Sequence, residues 1–116
     1  MTRSKVKRGF LFLSILFPLS TIWAQKIYIV DNLYMADVKV YKVGAAHKAD
    51  LWVFKVNADY KVRGNNGRWY FTNIDYKADK KIFFVDSDYK ADVKIYFTNK
   101  EYKAGWNKRI NKFWFD

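Results

Sequence analysis

Cysteine is absent from the 116 residues, and histidine and proline occur once each. Without cysteine no disulfide braces the chain, so its stability has to come from burial and topology. With His47 as the single histidine there is also nothing from which to build a zinc site or a nucleophile–histidine dyad. Amphipathic helices are missing as well: beyond the first 25 residues no window sustains apolar residues three and four apart. Finally, no apolar run reaches the roughly 17 to 25 residues that a membrane-spanning helix needs.

The run that comes nearest, Phe10 to Trp23, is interrupted by Pro18 and follows a basic stretch holding Arg3, Lys5, Lys7 and Arg8. Basic start, short apolar centre and a small-residue tail form the plan of a secretory signal, expected here over 1–24 with cleavage between Ala24 and Gln25. No cysteine follows the run, which argues against a lipid-anchored lipoprotein. The signal would carry away four of the 22 basic residues and none of the 11 acidic ones, leaving 25–116 with a charge of +7. Lys and Asp alternate along that remainder, which weakens any argument from pI to nucleic acid. The destination is expected to be periplasmic or extracellular, with a single domain over 25–116 and no membrane span after signal removal.

What the chain does have is a recurring phrase, aromatic-Lys-Ala-Asp or a near variant. It appears at Tyr34-Met35-Ala36-Asp37, His47-Lys48-Ala49-Asp50, Tyr60-Lys61-Val62-Arg63, Tyr76-Lys77-Ala78-Asp79, Tyr89-Lys90-Ala91-Asp92 and Tyr102-Lys103-Ala104-Gly105. Copies recur every 13 residues, except that 16 separate Val62 from Ala78. A short unit repeated along nearly the whole length encodes an architecture, whereas an active site needs different residue types converging on one place.

The segments after the phrase, such as Val38-Lys39-Val40-Tyr41-Lys42-Val43 and Val93-Lys94-Ile95-Tyr96-Phe97-Thr98, are β-branched and aromatic, the composition of strands. Their third position is always Val or Ile and their fourth Tyr or Phe, so one face carries a β-branched column and the other an aromatic one. Asn- and Asp-rich pieces between them, such as Asp86-Ser87-Asp88, suit turns. The fold class predicted is all-β: short strands of a 13-residue period in one compact domain with negligible helix. Alternation within the phrase predicts a second short extended piece, with its alanines and aromatics serving packing. The three extra residues fall in Arg63-Gly64-Asn65-Asn66-Gly67-Arg68, where Asn65, Asn66 and Gly67 predict a protruding β-hairpin between Lys61-Val62 and Trp69-Tyr70-Phe71.

Asp37, Asp50, Asp79 and Asp92 share one slot, but near-equivalent repeats cannot give a carboxylate pair the two distinct environments that catalysis requires. They are assigned to turn hydrogen bonds and exposed Lys–Asp pairs, and the chain to no enzyme class. His47 fills a tyrosine slot. Lys77, Lys90 and Lys103 recur in register as a basic stripe that suits a polyanion, and Trp52, Trp69 and Trp106 on a flat sheet would suit stacking on an envelope glycan. No cofactor or metal is expected. The first reading is a stable structural or interaction domain whose partner the residues do not identify, with an envelope glycan or another exported protein favoured over nucleic acid, and the chain is expected to be a monomer.

Tyr-Lys-Ala-Asp followed by Lys-Ile-Phe-Phe-Val-Asp or Val-Lys-Ile-Tyr-Phe, the interrupting Gly-Asn-Asn-Gly-Arg-Trp and the closing Tyr102-Lys103-Ala104-Gly105-Trp106 together resemble the septoil-knot domain family. The resemblance covers residues 26 to 116 and implies a small bacterial β-protein deeply knotted as a seven-crossing torus knot. Spacing itself supplies only repeated strands. Gly44-Ala45-Ala46-His47 and the basic, aromatic tail Asn107 to Asp116 depart from the family pattern.

Overall fold

The computed structural model describes residues 25–59 and 64–116. The expected signal, Ala24 and the phrase copy at Tyr60 lie outside the described residues. Seven strands follow one another: β1 (Lys26–Ile29), β2 (Val38–Lys42), β3 (Leu51–Lys55), β4 (Arg68–Phe71), β5 (Lys80–Phe84), β6 (Val93–Phe97) and the two-residue β7 (Gly105–Trp106). The sheet order is β4-β1-β5-β2-β6-β3-β7, and a further β3–β4 pairing closes the first six into a barrel. All six barrel strands are parallel. The all-β expectation holds, and Val38, Leu51, Lys80 and Val93 open four of the strands in the same slot.

Parallel strands ordinarily need a crossover of a dozen or more residues. Here eight suffice, at 30–37, 43–50, 72–79 and 85–92. The register explains this. Ile29 at the end of β1 and Val38 at the start of β2 both pair with Ile82 of β5. Phe84 and Val93 both pair with Val40 of β2, and Lys42 and Leu51 both pair with Ile95 of β6. Each link therefore only has to bridge one intervening strand at a single level. The interior is filled with side chains, so the bridge runs outside; the turn at Asp88–Lys90 lies against β2 and the one at Glu101–Lys103 against β3.

Winding two strands at a time round a ring of six would bring the chain back to the place of β1 after three steps. The link from β3 to β4 moves it by one place only, because those strands are neighbours. That single offset lets β5 and β6 fill the gaps left on the first lap. The three extra residues fall in this link, which runs from 56 to 67. They do not build the expected hairpin. Its first arm, 61–62, lies outside the described residues, and β4 pairs in parallel with β1 and β3 instead of returning antiparallel. Nor do residues 64–67 protrude. Gly67, at φ +89°, is buried so closely that a Cβ there would run into the Trp52 carbonyl and stand 2.7 Å from the Gly105 nitrogen. Asn65 donates to the Lys112 carbonyl at 2.9 Å and accepts from Trp106 Nε1 at 2.9 Å.

The β-branched column faces inward as its alternation requires: Val40, Val53, Ile82 and Ile95 are fully buried. Trp69 shares their slot once the three extra residues are discounted, and it is fully buried too. At the entrance end of the barrel the tail folds back as a 3-10 segment, Arg109–Phe115, and inserts Phe115. Its ring lies 5.1 Å from that of Trp69, and Gln25 Nε2 donates to its carbonyl at 3.2 Å. At the exit end Phe71, Phe84 and Phe97 pack against the core. Lys55 covers two of these rings, its ammonium 4.5 Å from the Phe97 centroid and 5.7 Å from that of Phe71, a cation–π arrangement that keeps the charge in water.

Candidate interaction surface

The phrase itself is a 3-10 turn and not the extended piece that its alternation predicts. Ala36, Ala49, Ala78, Ala91 and Ala104 each donate their N–H to the carbonyl three residues back, at 3.1 to 3.2 Å. Polar side chains start several of these turns: Asn32 Oδ1 accepts from Tyr34 N at 2.9 Å and Thr72 Oγ1 from Ile74 N at 3.1 Å. The small alanine then returns the backbone to extended geometry, with ψ between 139° and 146° at all five positions.

The aspartates that follow are latches between strands, which corrects their assignment to turn chemistry. Asp37, Asp50, Asp79 and Asp92 each donate their own N–H to the carbonyl of Lys81, Lys94, Lys26 and Lys39 respectively, at 2.7 to 2.8 Å. The carboxylate of each accepts the N–H of the same partner, at 2.7 to 2.9 Å. Every partner belongs to the strand that the link has just bridged. Each latch therefore pins a crossing and satisfies a backbone donor that the start of the strand would leave open. The last copy has Gly105 in this slot, at φ +147°. The chain reverses there, and β7 pairs antiparallel with β3.

With alanine and aspartate so occupied, the aromatic of the phrase points outward. Tyr34, Tyr76, Tyr89 and Tyr102 are 77 to 92% exposed and His47 is exposed, so this aromatic column does not pack as expected. Its outward position follows from the links running outside the barrel. Ordered by the strands they bridge, the turns follow one another round the barrel as Tyr76, Tyr34, Tyr89, His47, Tyr102. Each stands one strand across and two residues further along than the last. That places neighbours roughly 8 Å apart at the sheet surface, from a strand spacing of about 4.8 Å and a rise of about 3.3 Å per residue.

Grooves lie between successive turns. The groove from the Tyr34 turn to the Tyr89 turn, about 650 Å³, is lined by Phe83, Phe84, Leu33 and Tyr89 together with Lys39 and Lys90. The next, about 600 Å³, joins the Tyr89 and His47 turns over Tyr41, with Lys48, Lys94 and Lys108. The third, about 310 Å³, joins the His47 and Tyr102 turns over Trp52 and Tyr96, with Lys100 and Lys103. Together they form one climbing band. Lys90 donates to Asp86 at 3.0 Å, and this hydrogen bond and its charge hold the exposed Asp86 carboxyl below its ordinary value.

Lys77, Lys90 and Lys103 are all exposed, each ending its turn. Lys48 holds the same exposed place in the His47 turn, while Met35 holds it in the Tyr34 turn and interrupts the stripe there. The three tryptophans do not form an exposed row either. Trp69 is fully buried, while Trp52 and Trp106 are half-buried with their Nε1 groups donating to the Ala46 carbonyl and to Asn65 Oδ1, each at 2.9 Å. Sequence reasoning missed the exposed tyrosines, although Tyr-Lys in four of the six copies was a visible signal. Among the described residues no group of three His, Asp or Glu side chains is placed to hold a metal ion, and no helix is long and apolar enough to cross a membrane.

A family model described as the 7(1) septoil knot domain matches residues 24–107. No curated protein and no solved structure matches the chain. The match spans the whole barrel through β7 and stops before the tail that carries Phe115. By that match, and by the repeated phrase whose latches pin the crossings of the barrel, the chain belongs to the septoil knot domain family.

Proposed function

We propose that this is a non-catalytic, exported domain whose work is done by its outer turns, in a structural or interaction role. The signal over 1–24 is removed after Ala24, and the barrel then acts in the periplasm or outside the cell as a monomer. The observation that carries the reading is the division of labour within the phrase. Its only acidic residue is engaged with backbone in four copies, while its aromatic stands in solvent in all five described ones.

The chain is closed as a seven-crossing torus knot, the topology its family is named for. Two interleaved laps of one chain, with four links each passing over the strand between, support that reading, because a torus knot of this kind winds twice round its axis. A chain exported unfolded would tie the knot after export, and near-identical repeats favour this, since only one terminus has to thread. Stability without disulfides suits a domain that must persist outside the cell.

The test is recovery of the protein from cells and crosslinking in the envelope fraction. The recovered chain is expected to begin at Gln25 and to carry crosslinks at the turn residues, Tyr76 and Tyr102 among them. A chain that keeps Met1, stays in the cytoplasm and crosslinks to nothing overturns the proposal.

A further inference from the structure

We propose that the climbing band of grooves binds an extended anionic polysaccharide, with uronate rings stacked on its aromatic side chains and their carboxylates paired with its lysines. This rests on the reading of the outer turns as the working surface and names the class of ligand. Three observations carry it. The grooves succeed one another round the barrel on either side of the Tyr89 and His47 turns, an order that suits a linear polymer crossing those turns better than a compact ligand. Each joins aromatic surface to ammonium groups: Phe83 and Tyr89 with Lys39, Tyr41 with Lys48 and Lys94, Trp52 and Tyr96 with Lys103.

The third observation is charge. Seven lysines line the band against Asp86 and Asp88. Of these lysines only Lys39 and Lys90 are in ion pairs among the described residues, at 3.9 and 3.0 Å. Five ammonium groups are left with no carboxylate partner there, spread along the whole band. A neutral glycan would leave them unused. A single-stranded nucleic acid needs bases splayed onto aromatic faces along a positive groove. The half-buried floor rings lie between projecting turns and suit pyranose rings laid along the groove.

Affinity electrophoresis of the full chain through gels containing polygalacturonate, neutral hydroxyethylcellulose or oligo(dT) tests this. Retardation by polygalacturonate, and by neither other polymer, is expected at about 0.15 M salt, where surface charges are screened beyond roughly 8 Å. Tyr89→Ala should weaken it by about 3- to 10-fold, the range of a lost aromatic contact, and Lys103→Ala by about 2- to 5-fold, the range of a lost exposed ion pair. Both side chains are exposed, so melting temperatures should not move, which keeps the two variants interpretable. Absence of retardation overturns the proposal, as does equal or stronger retardation by oligo(dT), or full retention of binding in Tyr89→Ala. If polygalacturonate fails while crosslinks still form at the turns, the ligand class falls and the turns stand as the working surface.

Discussion

Phe115→Ala is expected to lower stability by about 3 to 5 kcal/mol, the cost of truncating a fully buried aromatic. For a domain of this size that is a fall in melting temperature of about 12 °C or more. Phe115 is in contact with the parts that close the entrance of the barrel, 5.1 Å from Trp69 and 6.1 Å from Trp106 between ring centroids. It also anchors the tail whose carbonyls receive Gln25 and Asn65. Thermal unfolding followed by circular dichroism reads the effect, and Phe115→Leu should recover most of it because it refills much of the volume. A fall of under about 4 °C in Phe115→Ala, worth roughly 1 kcal/mol, would mean that the tail merely lies on the barrel. The tail lies beyond the family match, so this chain depends for its core on a segment outside the shared repeat.

Asp50→Ala comes next, at about 3 kcal/mol. Among the four latch aspartates this one is buried, at 4% exposure. Its Oδ2 accepts from Lys94 N at 2.9 Å and from Asn111 Nδ2 at 3.2 Å. Alanine strands both donors, each worth about 1 to 3 kcal/mol when buried without a partner. Asp79→Ala removes the same kind of latch at an exposed site, where water replaces the carboxylate, and should cost about 1 kcal/mol. Asp50→Asn keeps an oxygen in place and should fall between them. Urea unfolding of the three variants reads the order, and equal losses at positions 50 and 79 would contradict the burial argument.

Much of the barrel was legible in the sequence, because strand periodicity and burial are local signals. The Val/Ile column at Val40, Val53, Ile82 and Ile95 pointed inward as alternation requires. The family, too, could be read from the order of phrase, insertion and Gly105-Trp106. The phrase was misread because Tyr-Lys-Ala-Asp alternates like a strand. What makes it a turn is the bond from alanine back three residues, together with a latch to a strand 44 or 53 residues away. No local pattern encodes that second partner. The same non-locality hid the tyrosines: an aromatic in a fixed slot reads as core unless the link carrying it is known to pass outside.

Two further errors share a cause. Asn66-Gly67 carries the chemistry of a hairpin turn, but Gly67 serves instead a close approach to Trp52 and Gly105. Trp69 was grouped with Trp52 although the three extra residues shift it into the inward slot. Discounting the insertion aligns Trp69 with Val53, and Trp52 with the outward Lys94. The insertion was thus treated as an addition to a regular array, when it is the step that offsets the second lap from the first.

That offset makes β5, and not β2, the neighbour of β1. The chain has no cysteine, so introduced pairs report contacts without interference. Tyr28 pairs with Lys81 across β1 and β5. The double variant Tyr28→Cys, Lys81→Cys should form its disulfide readily under mild oxidation of the folded protein, as Cα atoms of paired strands fall within the usual 4.4 to 6.8 Å, roughly. The pair Tyr28→Cys, Tyr41→Cys, which would be neighbours if β1 and β2 lay side by side, should stay reduced. Crosslinking of 28 with 41 and not with 81 would contradict the interleaved winding outright.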